Sequence, residues 1–154
     1  MLTGTTENLI GQSLLFPGGF LSPLEIDEAV ARALAEDLGR AGDVTSIATI
    51  PIGTQARAVM VARKAGTIAG LPLAAAAFRR LSPDIEIEPR ARDGETVEAK
   101  AVLMTINGEA RAVLGGERVA LNFVTHLSGI ATATQAYVRK VAGKTRICCT
   151  RKTT

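Results

Sequence analysis

The order of apolar and polar positions along the chain predicts a helix that follows an aperiodic arm. Residues 22–25 read Ser-Pro-Leu-Glu, which supplies an N-cap serine, a proline at the first helical position and a glutamate placed to complete a capping box. Apolar residues then recur at helical spacing, at Ile26, Val30, Ala33 and Leu34. Gly39 is a typical helix terminator. We therefore predict a helix over 23–38 and an arm at 1–21.

Beyond residue 42 the pattern changes to alternation and turns. Three stretches have the period-two alternation or the apolar composition of strands: 56–62, 85–88 and 102–106. Pro72 opens an alanine-rich helical segment that ends near Leu81. Turn dipeptides follow the second and third strands, Asp93-Gly94 and Asn107-Gly108. The pattern predicts an antiparallel sheet with flanking helices, which is an α+β arrangement.

The strongest periodicity lies between Glu117 and Val141 and predicts one long helix. Its apolar stripe is expected to be core: Val119, Phe123, Leu127, Ile130, Thr134, Tyr137, Val138 and Val141. A polar line lies on nearly the opposite side: Arg118, Asn122, Thr125, Gly129 and Thr132. A glycine costs about 1 kcal/mol inside a helix. Gly129 therefore indicates either the close approach of a backbone or ligand, or a glycine tolerated on a solvated face.

A basic tetrapeptide is a candidate anion site. The long helix is expected to end at Gly143, and residues 145–149 have the composition of a strand. Two hydroxyls and two cations follow directly: Thr150, Arg151, Lys152 and Thr153. Arginine binds a carboxylate or phosphate bidentately and lysine acts as a point charge, so these residues could cradle an anion. The alternative is a solvated basic tail.

Composition narrows the function classes. A net charge of +3 and 3% aromatic residues favour neither a phosphate-backbone footprint nor a base-stacking platform, so we expect no nucleic-acid partner. The longest nearly uninterrupted apolar run, 69–78, is about half of a membrane span, so we expect no membrane insertion. His126 is the only histidine, which excludes paired-histidine zinc sites. Cys148 and Cys149 are adjacent and make no disulfide framework, which favours the cytoplasm.

Several motifs carry a resemblance to one enzyme family. Three lie in the last third of the chain: Glu117-Arg118-Val119-Ala120-Leu121-Asn122-Phe123, Leu127-Ser128-Gly129-Ile130-Ala131-Thr132 and Thr150-Arg151-Lys152-Thr153. Earlier segments agree with them: Glu36-Asp37-Leu38, Gly42-Asp43-Val44-Thr45-Ser46, Asp93-Gly94 and Ile106-Asn107-Gly108-Glu109-Ala110-Arg111. In this order and spacing, from about residue 24 onward, the chain resembles the quinolinate phosphoribosyltransferases, also called nicotinate-nucleotide pyrophosphorylases.

The resemblance implies an enzyme of NAD biosynthesis that transfers the phosphoribosyl group of PRPP to quinolinate and releases carbon dioxide. It implies a homodimer whose sites are shared between subunits, and Mg²⁺ held by ligands outside this sequence. Arg118 matches the helix arginine that reaches the partner subunit's quinolinate. Arg151 and Lys152 match the arginine and lysine after the first barrel strand, with Thr150 and Thr153 beside them. The catalytic residues stay unknown, since no residue is an obvious proton donor for decarboxylation.

The expected architecture is α+β with only the start of a barrel. Its parts are an arm at 1–21, an N-terminal α/β domain at 22–116, a long linking helix at 117–143 and the first strand of a phosphoribosyltransferase barrel at 144–154. A whole (β/α)₈ barrel takes about 250 residues, which is more than the 154 present. Because the family's downstream residues have no counterpart, the chain is expected to be inactive by itself.

Two alternatives stay open. A phosphoribosyltransferase-like relative associated with molybdenum transport shares the fold and parts of the motifs. Residues 93–108 also resemble the strand-turn-strand of biotinyl or lipoyl carrier domains, which need an exposed hairpin lysine typically flanked by Met or Asp. Lys64 and Lys100 lack such neighbours. A biotinyl or lipoyl adduct on either lysine would favour the carrier.

Overall fold

The computed structural model describes residues 21–148. The elements of this part, in chain order, are α1 (Pro23–Leu38), α2 (Val44–Thr49), β1 (Gln55–Val61), β2 (Gly66–Thr67), α3 (Leu71–Leu81), β3 (Glu86–Pro89), β4 (Thr96–Val97), β5 (Val102–Glu109) and α4 (Ala110–Val141). β1, β5 and β3 form an antiparallel sheet in that order, and β2 pairs with β4. The predicted α+β class is confirmed.

Helix α1 has the limits that its local sequence predicts. The hydroxyl of Ser22 accepts a hydrogen bond from the backbone N–H of Glu25 (3.2 Å), and the Glu25 carboxylate accepts one from the backbone N–H of Ser22 (2.9 Å). Gly39 ends the helix with a positive φ of 54°. The reciprocal capping box and the terminal glycine therefore determine both ends of α1.

The core lies where the sheet meets helices α1, α3 and α4. Met104 and Ile106 of β5 and Val30 of α1 are the largest side chains that are almost entirely buried. Helices α3 and α4 approach closely, since a Cβ at Gly116 would lie 2.7 Å from Cδ1 of Phe78. The apolar faces of α1 and α3 and the first part of the apolar stripe of α4 pack together in this core. The end of α1, the start of α2 and the polar side of α4 lie at the surface.

Strand β5 continues through the predicted Asn107-Gly108 turn, so that prediction is wrong. Both residues pair with β1, Asn107 with Arg57 and Gly108 with Ala56. A Cβ at Gly108 would lie 2.6 Å from Cγ1 of Ile85. The glycine is needed there for packing and not for a turn. The Asp93-Gly94 turn is confirmed.

Helix α4 begins at Ala110, so the predicted start at Glu117 is wrong. The Glu109 carboxylate accepts a hydrogen bond from the backbone N–H of Ala112 (3.2 Å) and caps the helix directly at the end of β5. The predicted boundary between residues 116 and 117 therefore falls inside one continuous helix.

The apolar stripe of α4 is buried only in the first part of the helix. Val119 is buried, Phe123 and Leu127 are half-buried, and four later members are exposed: Ile130, Thr134, Tyr137 and Val138. The prediction that the whole stripe is core is wrong, because the described sheet and helices cover α4 only as far as strand β2. A Cβ at Gly129 would meet no heavy atom within 4 Å, in agreement with a glycine on a solvated face.

Residues 145–148 belong to no helix or strand, although a strand is predicted from 145. A strand needs a neighbour to accept and donate its backbone hydrogen bonds, and none of the described strands pairs with this segment. Cys148 is exposed. The predictions for residues 1–20, Cys149 and the basic tetrapeptide at 150–153 lie outside the described residues.

Candidate functional site

A cavity of about 510 Å³ opens beside helix α4 and contains the one predicted site residue that the structure describes, Arg118. Three elements line it. Helix α4 supplies Arg118 and Asn122 together with apolar residues, the last turn of α1 supplies Asp37, and the start of α2 supplies Asp43 and Val44. The cavity therefore forms where two helix ends meet the side of a third helix.

Arg118 lies on the solvent-accessible face of α4, as the position of the polar line predicts. Its side chain is 76% exposed, and its Nε lies 3.1 Å from Oδ1 of Asp37, whose side chain is only 18% exposed. Within the described residues, the terminal Nη1 and Nη2 groups donate no hydrogen bond. The Nε edge of the guanidinium lies in an ion pair with the Asp37 carboxylate, and its other edge is accessible to an anion.

Asp43 provides a second carboxylate on the cavity wall, and Ser46 donates a hydrogen bond to each of its oxygens. Oδ1 accepts a hydrogen bond from the backbone N–H of Ser46 (3.0 Å), and Oδ2 accepts one from the Ser46 hydroxyl. These hydrogen bonds, the side-chain one first, hold the pKa of Asp43 below its ordinary value of 3.8. Asp43 is thus an ionised N-cap of α2 at neutral pH.

Arg111 fixes the other end of α2. Its Nε and Nη2 donate to the carbonyl oxygen of Ile50 (2.9 and 2.6 Å), and Nη2 also donates to that of Ile47 (3.0 Å). A cation at the carboxyl end of a helix satisfies carbonyls that have no partner within the helix. Helix α4 therefore carries Arg118 and, through Arg111, also positions the α2 wall of the cavity.

Helix α2, Arg111 and Asp37 belong to the site but are not among the site residues predicted from the sequence. A local signal for α2 was available, since Asp43 followed by Ser46 has the spacing of a side-chain N-cap. The contacts of Arg111 and Asp37 join positions that are distant in sequence. No local sequence pattern predicts these contacts.

Ser128 and Thr132 of α4 bind the β2 segment instead of facing an open site. Thr132 Oγ1 accepts a hydrogen bond from the backbone N–H of Thr67 (2.9 Å), and Ser128 Oγ accepts one from that of Ala69 (3.0 Å). A Cβ at Gly66 would lie 2.7 Å from Thr132 Oγ1. These hydroxyls thus hold strand β2 against α4.

The described residues include a cation suited to anion recognition, Arg118. Residues 21–148 contain no group of three or more His, Cys, Asp or Glu side chains placed to hold a metal ion. His126 is exposed. In this part of the chain, no helix is both long and apolar enough to cross a membrane. The Arg118 guanidinium is the group best placed to bind a carboxylate presented from outside the cavity.

Comparisons with known proteins identify one family. The model of the quinolinate phosphoribosyl transferase N-terminal domain matches residues 43–128, which is more than half of the chain. A probable nicotinate-nucleotide pyrophosphorylase (carboxylating) from Synechocystis is 47% identical over 132 residues, covering 84% of this chain and 43% of the relative. The nicotinate-nucleotide pyrophosphorylase (carboxylating) of Mycobacterium leprae is 40% identical over 139 residues, covering 86% and 49%.

Comparison with solved structures identifies the same family. NadC from Streptococcus pyogenes superposes with a TM-score of 0.83 at 34% identity, covering 88% of this chain and 48% of that one. The nicotinate-nucleotide pyrophosphorylase from Francisella tularensis superposes with a TM-score of 0.71 at 29% identity, covering 77% and 42%. The chain thus spans less than half the length of each of these four proteins.

Proposed function

Because the chain belongs to the quinolinate phosphoribosyl transferase N-terminal domain family, we propose that it forms the N-terminal part of a nicotinate-nucleotide pyrophosphorylase (carboxylating). The proposed reaction joins the phosphoribosyl group of PRPP to the ring nitrogen of quinolinate, with release of pyrophosphate and of one carboxyl group as carbon dioxide. The product is nicotinate mononucleotide.

The accessible edge of Arg118 is the observation that carries this proposal. Quinolinate has two carboxylates, and a guanidinium can bind a carboxylate through two parallel hydrogen bonds. The Nη1 and Nη2 groups have no partner among the described residues, whereas Nε lies in an ion pair with Asp37. In the proposed homodimer, Arg118 of one subunit binds a carboxylate of the quinolinate held by the other subunit.

The substrate-binding residues beyond Arg118 and the metal ion are proposed from membership of the family alone. Thr150, Arg151, Lys152 and Thr153 are proposed to bind substrate from the other side of the shared site. Mg²⁺ is proposed as a cofactor held by ligands outside this sequence, where it would supply positive charge for the departing pyrophosphate. The described residues include no group of side chains that would hold it. We place the reaction in the cytoplasm, because the adjacent residues Cys148 and Cys149 make no disulfide framework.

A hybrid enzyme tests the proposal. Residues 22–148 replace the aligned segment of the Synechocystis relative, and the formation of nicotinate mononucleotide from quinolinate and PRPP is measured with Mg²⁺ present. The 154-residue chain alone serves as the background sample. Arg118→Ala should raise the KM for quinolinate at least about ten-fold, since a hydrogen bond to a charged group contributes about 1.5–3 kcal/mol. The KM for PRPP should not change.

Arg139→Ala is the matched control, because Arg139 is an exposed arginine near the far end of the same helix. We expect this variant to keep the parent KM for quinolinate. A hybrid that is folded but does not turn over quinolinate contradicts the proposed function. An unchanged KM in Arg118→Ala contradicts the proposed role of Arg118. The reported relatives do not favour either the molybdenum-associated or the carrier alternative.

A further inference from the structure

We infer that Asp37 is a positioning residue for Arg118: it holds the Nε edge of the guanidinium and leaves the Nη1 and Nη2 groups for the carboxylate of the substrate. The inference rests on the proposed function and extends it to a residue of a different helix. Asp37 does not touch the substrate in this arrangement. It acts only through Arg118.

The geometry of the pair suits this role. Asp37 Oδ1 lies 3.1 Å from Arg118 Nε, and the Asp37 side chain is 18% exposed while that of Arg118 is 76% exposed. The carboxylate is thus the enclosed and fixed member of the pair, whereas the arginine is the accessible one. A long arginine side chain that is already held at one edge loses less rotational freedom when it binds a ligand.

The location of Asp37 in helix α1 supports the same conclusion. Asp37 lies in the last turn of Pro23–Leu38, where the free carbonyl groups give the helix end a partial negative charge. A carboxylate is unfavourable at that position, and the last turn of α1 contains no basic residue that would offset it. Asp37 therefore does not stabilise its own helix, and its favourable interaction is the one with Arg118.

The other carboxylates around the cavity do not replace Asp37. Both oxygens of Asp43 accept hydrogen bonds from Ser46. Glu117 precedes Arg118 directly on α4, and neighbouring positions of a helix do not face each other. Asp37 is consequently the carboxylate that orients the guanidinium.

A double-mutant cycle in the hybrid enzyme tests the inference. Asp37→Ala should raise the KM for quinolinate about three- to five-fold, which corresponds to the upper part of the range for exposed ion pairs. The kcat and the KM for PRPP should stay at the parent values, because only substrate binding is weakened. Asp37→Glu should recover part of the affinity. In the Arg118→Ala background, Asp37→Ala should cause no further change.

Glu36→Ala is the matched control, since Glu36 is an exposed carboxylate in the same turn and has no ion pair among the described residues. It should leave the KM for quinolinate unchanged. A purely structural role of Asp37 predicts instead a lower melting temperature and an effect that persists in Arg118→Ala. We expect Asp37→Ala to melt no lower than Glu36→Ala.

Nuclear magnetic resonance of the 154-residue chain tests the pairing without any activity. The Nε–Hε signal of Arg118 should shift in Asp37→Asn and stay unchanged in Glu36→Gln. An unchanged signal in Asp37→Asn would overturn the inference, as would equal effects of Asp37→Ala with and without Arg118. Failure of the proposed function is distinct, because it is seen as an inactive parent hybrid or as an Arg118→Ala variant with normal KM.

Discussion

Asp93 caps a helix that precedes it by 22 residues in the sequence. Its two carboxylate oxygens accept hydrogen bonds from the backbone N–H groups of Gly70 (2.8 Å) and Leu71 (3.0 Å) at the start of α3. Gly70 has no side chain that could cap the helix, and Pro72 has no N–H group. The carboxylate therefore satisfies two donors for which the local sequence provides no acceptor.

The substitution Asp93→Ala should destabilise the folded chain. Loss of a helix cap costs about 0.5–2 kcal/mol. Gly70 and Leu71 are buried, so water replaces the lost acceptor poorly, whereas the carboxylate itself is exposed and partly screened. We therefore expect the free energy of unfolding to fall by about 1.5 kcal/mol, within the upper half of that range. Asp93→Asn keeps one acceptor oxygen without the charge and should lose roughly half as much.

Urea unfolding followed by far-ultraviolet circular dichroism measures this loss. With a denaturant slope of about 1–3 kcal/mol per molar urea, the midpoint should fall by about 0.5–1.5 M. Asp84→Ala is the control, because Asp84 is an exposed loop aspartate and has no side-chain hydrogen bond among the described residues. Coincident midpoints for Asp93→Ala and Asp84→Ala would refute the capping argument.

Two further stability predictions use the same assay. Gly70→Ala should lower the free energy of unfolding by at least about 2 kcal/mol, because Gly70 has a φ of +99° and its Cβ would lie 3.1 Å from the carbonyl oxygen of Phe123. Gly53→Ala, with a φ of +80° and no atom near its Cβ, should lose less, and equal losses would show that the contact with Phe123 is unimportant. The lowered pKa of Asp43 means that its stabilising contribution is present above pH 3.8 and is lost as the pH falls through the folded-state value. Asp43→Asn should therefore be less stable than the parent near neutral pH and equal to it in strong acid, and a constant difference across the titration would contradict this.

Local sequence signals predict the elements whose determinants lie within a few residues. Ser22 and Glu25 are three positions apart and cap each other, so both the start and the direction of α1 follow from the sequence. The start of α4 was missed because Glu109 is both the last residue of β5 and the N-cap of the helix. Without an intervening turn, the change of periodicity gives no sharp boundary.

The candidate site, like the start of α4, can be predicted from the sequence only in part. The exposure of Arg118 follows from its position opposite the apolar stripe, but its pairing with Asp37 depends on how α1 packs against α4. The strand predicted from residue 145 shows the converse case, since a favourable composition does not make a strand without a neighbouring strand. Pairwise tertiary contacts of this kind are not encoded in the spacing of residues along one element.

The hydrogen bonds between Thr132 and Thr67, which lie 65 residues apart, also determine how the end of α4 unfolds. The 32 residues of this helix extend over roughly 48 Å. Among the described residues, 133–141 lie beyond the last tertiary hydrogen bond of α4 and are mostly exposed. A helical segment of that length is marginal in isolation, so it stays ordered by propagation from the anchored turns before it. We therefore expect amides after Thr132 to open by local fraying, and amides of the earlier turns that pack against α3 and β2 to open at a higher free energy. The anchoring hydroxyls of Ser128 and Thr132 should thus mark the change between two regimes of hydrogen exchange along a single continuous helix.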